Sequence, residues 1–263
     1  MSDQARYQRH IGLFGVEGQQ RIATSRVAIV GLGGTGSHLA QQLAYLGVLD
    51  YQLIDADIVS ASNLNRLIGA VPNDVDTPKI DIAARTITAI QPTATVDTHA
   101  EMLTDTTPLP GIASTDVIFG CVDDDVARLD LVRHASTREL PYVDLATDVA
   151  TTGEFGGRVV FAKGGERCLS CLGELDQHAL ARANMTDEQR AADDKIYGID
   201  RDALATTGPS VVSINGVIAS LAVTEFMALR TRLREPAATS TTAATAASSP
   251  AAPTHPDNTA TTA

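Results

Sequence analysis

The sequence predicts an α/β domain: a doubly wound, mostly parallel sheet with an antiparallel extension and a long C-terminal helix. Three observations carry this. From Val27 to Lys163, short apolar runs rich in β-branched residues alternate with helix-length amphipathic runs, the pattern of repeated βαβ units. The first apolar run, VAIV at Val27 to Val30, opens straight into the glycine-rich turn GLGGTG and then the helical run SHLAQQL. The last apolar stretch, VVSINGVIASLAVTEFMALR, is too long for a strand and reads as a largely buried helix packed on the sheet.

The elements follow in order. YQLIDAD forms a second strand pattern that ends at Asp55. Lys79 to Ile90 has helical spacing, and Pro92 separates it from the strand pattern ATVDTH. DVIFGCVD reads as a buried strand, Val126 to Glu139 as a helix and PYVDLA as another short strand. RVVFAK, from Arg158 to Lys163, should run antiparallel, because only a short Gly-rich link precedes it and a parallel crossover needs a dozen residues or more. Asp176 to Asp202 is charged and reads as helix and loop. From Glu235 to Ala263 the chain is almost entirely Ala, Thr, Ser and Pro, with no aromatic or branched aliphatic side chain to bury, so it is expected to be disordered. The expected organisation is therefore one domain over 1–234, with an inserted crossover region at 175–208, and a low-complexity tail over 235–263.

Composition narrows the setting. At 263 residues with 44% hydrophobic content the chain can bury one sizeable core. Its formal charge of -12 argues against nucleic acid and acidic membranes as partners. No apolar run reaches the roughly 18 residues of a membrane span, and the N-terminal MSDQARYQRH is polar, so a cytoplasmic protein is expected. Three cysteines are too few for a disulfide framework.

The glycine turn supplies the first functional reading. Gly31, Gly33, Gly34 and Gly36 let backbone approach a phosphate and let helix sit close on strand, and the helix N-terminus favours an anion. The turn fits the Rossmann-like fingerprint G-x-G-x-x-G and lacks the Lys-Ser/Thr of a P-loop. About 20 residues on, Asp55 stands where a carboxylate accepts hydrogen bonds from a ribose. Taken alone these features fit NAD or FAD, another nucleotide, or a glycine turn with no ligand.

The residues that follow favour phosphoryl chemistry. ADIVSASNLNR puts Asp57, Asn63, Asn65 and Arg66 in the connection after the second strand, at the carboxyl edge where nucleotides bind. TPKI brings Lys79 to the start of the next helix, and GCVDDD ends a strand with Asp123 at the same edge. An Arg, a Lys and an Asp converging on phosphates suit phosphoryl transfer better than hydride transfer, which develops little charge there.

RYQRHIGLFGVEGQQRI, GLGGTG, DADIVSASNLNR, TPK, CVDD, ERCLSCL and NGVIASLAVTEFM, in this order, resemble the ubiquitin-activating-enzyme superfamily in its small prokaryotic form, the ThiF/MoeB/HesA-type adenylyltransferases. The resemblance runs to about Arg230. It implies binding of ATP and magnesium, adenylation of the C-terminal glycine carboxylate of a small ubiquitin-like or sulfur-carrier protein ending in Gly-Gly, and a homodimer. Two other classes remain open: an NAD-dependent oxidoreductase and a non-catalytic nucleotide-binding scaffold.

Carried onto this sequence, the resemblance places Gly34 against the nucleotide phosphates and Asp55 on the ribose hydroxyls. Asn63 and Arg66 touch the phosphates together with Lys79, and Ser62, which begins their segment, belongs to the nucleotide-binding set. Asp123 holds magnesium, with Asp124 beside it where the family usually has Asn. Arg9 reaches the phosphates of the neighbouring protomer. Asp57 joins the same nucleotide-binding set. Among the bland alternatives, Arg66 could be a surface arginine paired with Asp57, and Asp123 and Asp124 could only cap the helix near Asp125.

Cys168 and Cys171 have the C-x-x-C spacing of half a tetrahedral zinc site. Relatives complete it with a second C-x-x-C that this chain lacks, which leaves bound zinc or a reduced structural pair. The cysteine that captures the activated partner as a thioester in some relatives has no counterpart; the matching position falls near Ala205. Adenylation without a thioester is the expectation. The family also continues past the long helix into further strands, where this chain enters its low-complexity tail.

Overall fold

The computed structural model describes residues 3–102, 112–151, 154–163, 169–183, 185–186, 188–189 and 210–244. Seven strands form one sheet: β1 (Arg26–Val30), β2 (Asp50–Ile54), β3 (Thr95–His99), β4 (Val117–Gly120), β5 (Tyr142–Thr151), β6 (Glu154–Ala162) and β7 (Thr239–Ala244). Their spatial order is β3-β2-β1-β4-β5-β6-β7. The first five are parallel, and β6 and β7 run antiparallel at the edge. Among the described residues the α-helices are α1 (Asp3–Arg6), α2 (Gln8–Ala23), α3 (Gly34–Leu46), α4 (Lys79–Ile90), α5 (Asp125–Thr137), α6 (Gln177–Ala183) and α7 (Val212–Thr231).

The double winding follows from the two-residue period of the strands. On β1, Val27 and Ile29 face one apolar cluster with Leu39, Leu43, Phe119 and Phe226, while Ala28 and Val30 face a second with Ile118, Leu131 and Tyr142. Both faces of the central strands are covered, so those strands read as continuous apolar runs. The ring centroids of Phe119 and Phe226 lie 5.7 Å apart and fasten α7 to the sheet; burying a side chain of that size contributes roughly 1.5–3 kcal/mol. By length and composition alone α7 could cross a membrane. Here it packs on α2, α3 and the sheet, and it buries Asn215 and Glu225.

Two elements differ from the sequence reading. The helical pattern did not reveal α2, because Gly12, Gly15 and Gly18 dilute it and Gly15 breaks the helix at φ 73°. Tertiary contacts hold it: Phe14 and Ile22 are buried, and the Arg21 guanidinium donates to the carbonyls of Arg230 and Thr231 at 2.8 and 3.1 Å.

The second difference is β7, which lies in the stretch expected to be disordered. Arg232 leaves α7 at φ 61°. The buried Glu225 carboxylate then accepts two bonds from Arg234, at 2.7 and 2.8 Å, and one from the Ala237 N–H at 2.7 Å. That clamp turns the chain back along β6, where Thr239 pairs with Val160 and Ala244 with Phe155. Side-chain composition misled here, since an Ala/Ser/Thr segment buries little but can still satisfy the open backbone edge of a neighbouring strand. Residues 245–263 and most of the expected crossover region 175–208, namely 184, 187 and 190–208, lie outside the described residues.

Candidate functional site

Strand order reverses between β1 and β4, and a cavity of about 510 Å³ opens there at the carboxyl ends of the strands. Its floor is backbone packed on backbone. Gly31 has φ 88°, and a Cβ on it would stand 2.7 Å from the Cys121 carbonyl oxygen. A Cβ on Gly36 would stand 2.0 Å from the Gly31 oxygen. Gly33 caps α3 without a side-chain hydrogen bond, and a Cβ there would meet nothing within 4 Å. The uncapped start of α3 therefore borders open space, and its first N–H groups are available to an anion.

Just past β2, Asp55 accepts the Leu32 N–H on Oδ2 at 2.6 Å and the Asp57 N–H on Oδ1 at 2.8 Å. Burial raises its pKa above the ordinary carboxylate range, while those two N–H groups and Lys79 pull it back. The result is a fixed carboxylate beside the glycine turn.

The connection from β2 to α4 arches over the cavity. Arg66 donates to the Ser62 carbonyl at 2.6 Å and to Asn65 Oδ1 at 3.2 Å, not to Asp57. Its Cδ would lie 3.4 Å from a Cβ on Gly34, so its stem crosses the glycine turn. Lys79 Nζ sits 2.6 Å from Asp57 Oδ2, with the lysine side chain 12% exposed and the aspartate 64%. Asp74 pins the arch, taking two bonds from Arg85 at 2.8 and 2.7 Å and one from the Val71 N–H. Hydrogen bonding from Arg85 holds the Asp74 carboxyl at about 2.

Opposite, at the end of β4, Asp124 accepts the Ala127 N–H at 2.9 Å and so caps α5 while lining the cavity. Asp123 lines it too and is exposed, with no hydrogen bond or ion pair among the described residues.

The sequence matches the model of the ThiF family over residues 7–260. The chain belongs to the ThiF family. It is 35% identical over 179 residues to the molybdopterin-synthase adenylyltransferase of Escherichia coli K12, covering 66% of this chain and 71% of that relative. It is 31% identical over 174 residues to the sulfur carrier protein ThiS adenylyltransferase of the same organism, covering 64% and 67%. A solved structure of E. coli MccB with ATP shares the fold at a TM-score of 0.71 and 21% identity, over 89% of this chain. The chain spans 65% of that protein's length.

Of the residues singled out in this ThiF-family sequence, Gly31, Gly33, Gly34, Asp55, Asp57, Asn63, Arg66, Lys79, Asp123 and Asp124 line the one cavity. Gly36 does not; it serves the close packing of α3 on β1. Ser62 does not either: its hydroxyl meets that of Ser60 at 2.9 Å, and its carbonyl holds Arg66. Arg9 is exposed on α2 and does not line the cavity of its own chain. Cys168 lies outside the described residues. Cys171 is exposed, and the described residues contain no group of three or more His, Cys, Asp or Glu placed to hold a metal.

Sequence reasoning missed the buried pair Arg128 and Asp144. Arg128 lines the cavity and donates to both Asp144 oxygens at 2.7 and 2.6 Å and to the Val122 carbonyl. Tyr142 OH adds a third bond to Asp144 at 2.9 Å. The signal was Asp144 itself, a carboxylate inside an apolar strand, which demands a buried partner.

Five carboxylates (Asp55, Asp57, Glu101, Asp123 and Asp124) line the cavity against three cations, Arg66, Lys79 and Arg128. Lys79 and Arg128 are already paired. Asp123 and Asp124 are the lining residues whose carboxylate oxygens could hold a hard divalent cation, and such an ion would offset the repulsion of a polyphosphate.

Proposed function

We propose that this chain is an ATP-dependent adenylyltransferase. It would activate the C-terminal glycine carboxylate of a small ubiquitin-like or sulfur-carrier protein as an acyl-adenylate, releasing pyrophosphate, without a cysteine thioester. The observation that carries the reading is the meeting of Arg66, Lys79 and Asp123 in one cavity with the Gly34 turn and Asp55. The names of the E. coli relatives, and the ATP bound to MccB, support it.

The chemistry needs no enzyme nucleophile. An oxygen of the partner's carboxylate bonds to the α-phosphorus. The bond from that phosphorus to the bridging oxygen breaks, and its electron pair leaves with pyrophosphate. The protein's work is alignment and charge. Asp55 holds the ribose, the start of α3 and Arg66 hold phosphate oxygens, and Lys79 leaves Asp57 to do the same. Asp123, with Asp124, would hold magnesium, which supplies positive charge for the departing pyrophosphate. Cys121 lines the same cavity, and burial pushes its thiol pKa up, which disfavours the thiolate. In the proposed homodimer Arg9 serves the neighbouring protomer's phosphates. Zinc at Cys168 and Cys171 is not part of this proposal.

ATP–pyrophosphate exchange against a panel of carriers ending in Gly-Gly tests the reading. Arg66→Ala and Asp123→Ala should each lose exchange by roughly 100-fold or more while melting as the wild type does. Undiminished exchange in both variants would overturn the assignment.

A further inference from the structure

The glycine turn is braced from behind by a residue that the proposed chemistry does not use. Asn215 lies in the first turn of α7 and is 1% exposed. Its Oδ1 stands 3.4 Å from Thr35 Oγ1, and its Nδ2 donates to Ser210 Oγ at 3.1 Å. A Cβ on Gly34 would be 2.1 Å from that same Nδ2. Thr35, Gly34 and Ser210 line the cavity, whereas Asn215 does not.

A carboxamide buried beside Ile218, Ala219 and Ala222 is costly unless its polar atoms are matched. Here each polar atom is matched by a hydroxyl on the wall of the cavity. With the Thr35 hydroxyl engaged by Asn215, the first turn of α3, which has no side-chain cap, keeps its backbone N–H groups open to whatever occupies the turn. The close approach of Nδ2 to Gly34 fixes how far the turn can retreat.

We infer that Asn215 is a positioning residue for the phosphates of the nucleotide. Through Thr35 and Gly34 it sets the first turn of α3, and through Ser210 it ties the chain entering α7 to that same turn. The inference rests on ATP being the ligand.

Calorimetric titration of the full chain with magnesium-ATP and, separately, with adenosine tests it, because adenosine has the base and ribose but no phosphate. Asn215→Ala should weaken ATP roughly tenfold, the equivalent of about one hydrogen bond, and leave adenosine within about twofold. Ser210→Ala, which removes one partner without opening space beneath the turn, should shift the ratio in the same direction. Equal losses for both ligands, or none, in Asn215→Ala overturn the inference, since a merely structural role would not separate them. If Asn215→Ala does not fold, Ser210→Ala decides, and an unchanged ratio of the two affinities overturns it. A wild-type chain that binds no ATP sinks the functional reading and this inference together; a wild type that binds ATP no better than Asn215→Ala sinks the inference alone.

Discussion

Lys79 Nζ lies 2.6 Å from Asp57 Oδ2, and the backbone closes the same pair again, the Lys79 N–H donating to the Asp57 carbonyl at 2.9 Å. The ammonium is thus parked at the wall of the cavity by a carboxylate that solvent reaches more easily than the lysine. A phosphate has to compete with Asp57 for it. Lys79→Ala should lower pyrophosphate exchange by roughly 100-fold to 1000-fold. Asp57→Asn keeps the backbone bond and releases the ammonium, so its loss should be much smaller, and exchange kinetics on the two variants separate them. Equal defects would mean that Asp57 itself takes part.

The glycines of the turn have different duties, which substitution can expose. Gly33→Ala meets no atom within 4 Å, so the variant should melt near the wild type yet bind ATP weakly, its methyl standing in the space left for phosphate. Gly36→Ala drives a methyl to 2.0 Å from the Gly31 carbonyl, and its melting temperature should fall sharply. Thermal melts beside ATP titrations check both, and a stable Gly36→Ala would contradict the packing argument.

The buried ion pair of Arg128 and Asp144 should be unforgiving. Asp144 is fully buried and Arg128 5% exposed, and their other ion pairs, Arg128 with Asp125 at 3.5 Å and Asp144 with Arg158 at 3.8 Å, are longer, so removing one partner leaves the other's charge poorly compensated. Asp144→Asn or Arg128→Met should cost about 3–5 kcal/mol in urea unfolding. A loss below about 1 kcal/mol would show that water reaches the pair.

Asp74 gives the arch over the cavity a pH signature. Its carboxyl is held at about 2 in the folded protein against an ordinary 3.8, so its contribution to stability is present above 3.8 and is lost as pH falls toward 2. Asp74→Asn should be less stable than the wild type at neutral pH, and the gap should close over that acid window. Unfolding midpoints collected from pH 7 downward test this; a constant gap would deny the linkage.

The parallel core was legible because it rests on local pattern. Val27 to Val30, the glycine turn and Lys79 to Ile90 carry their periodicity in a few neighbouring residues, and the observed α4 spans the same bounds. The arrangement of Arg66, Lys79 and Asp123 could be anticipated since each ends or follows a strand at one edge of a parallel sheet. Helix α2 and strand β7 were not legible in this way. The first is held by carbonyls at the far end of α7, and the second by the Glu225 clamp and the free edge of β6.

The sequence alone determined the doubly wound sheet and which loops carry chemistry, because hydrophobic periodicity and glycine placement act within a few residues. Only the tertiary structure decided that Asp144 answers Arg128, that Lys79 rests on Asp57, and that Asn215 stands behind Gly34. Those partners are 16, 22 and 181 residues apart in the chain. Their pairing is settled by the need to satisfy buried charge and polar atoms once the layers have closed, a demand that no local pattern records.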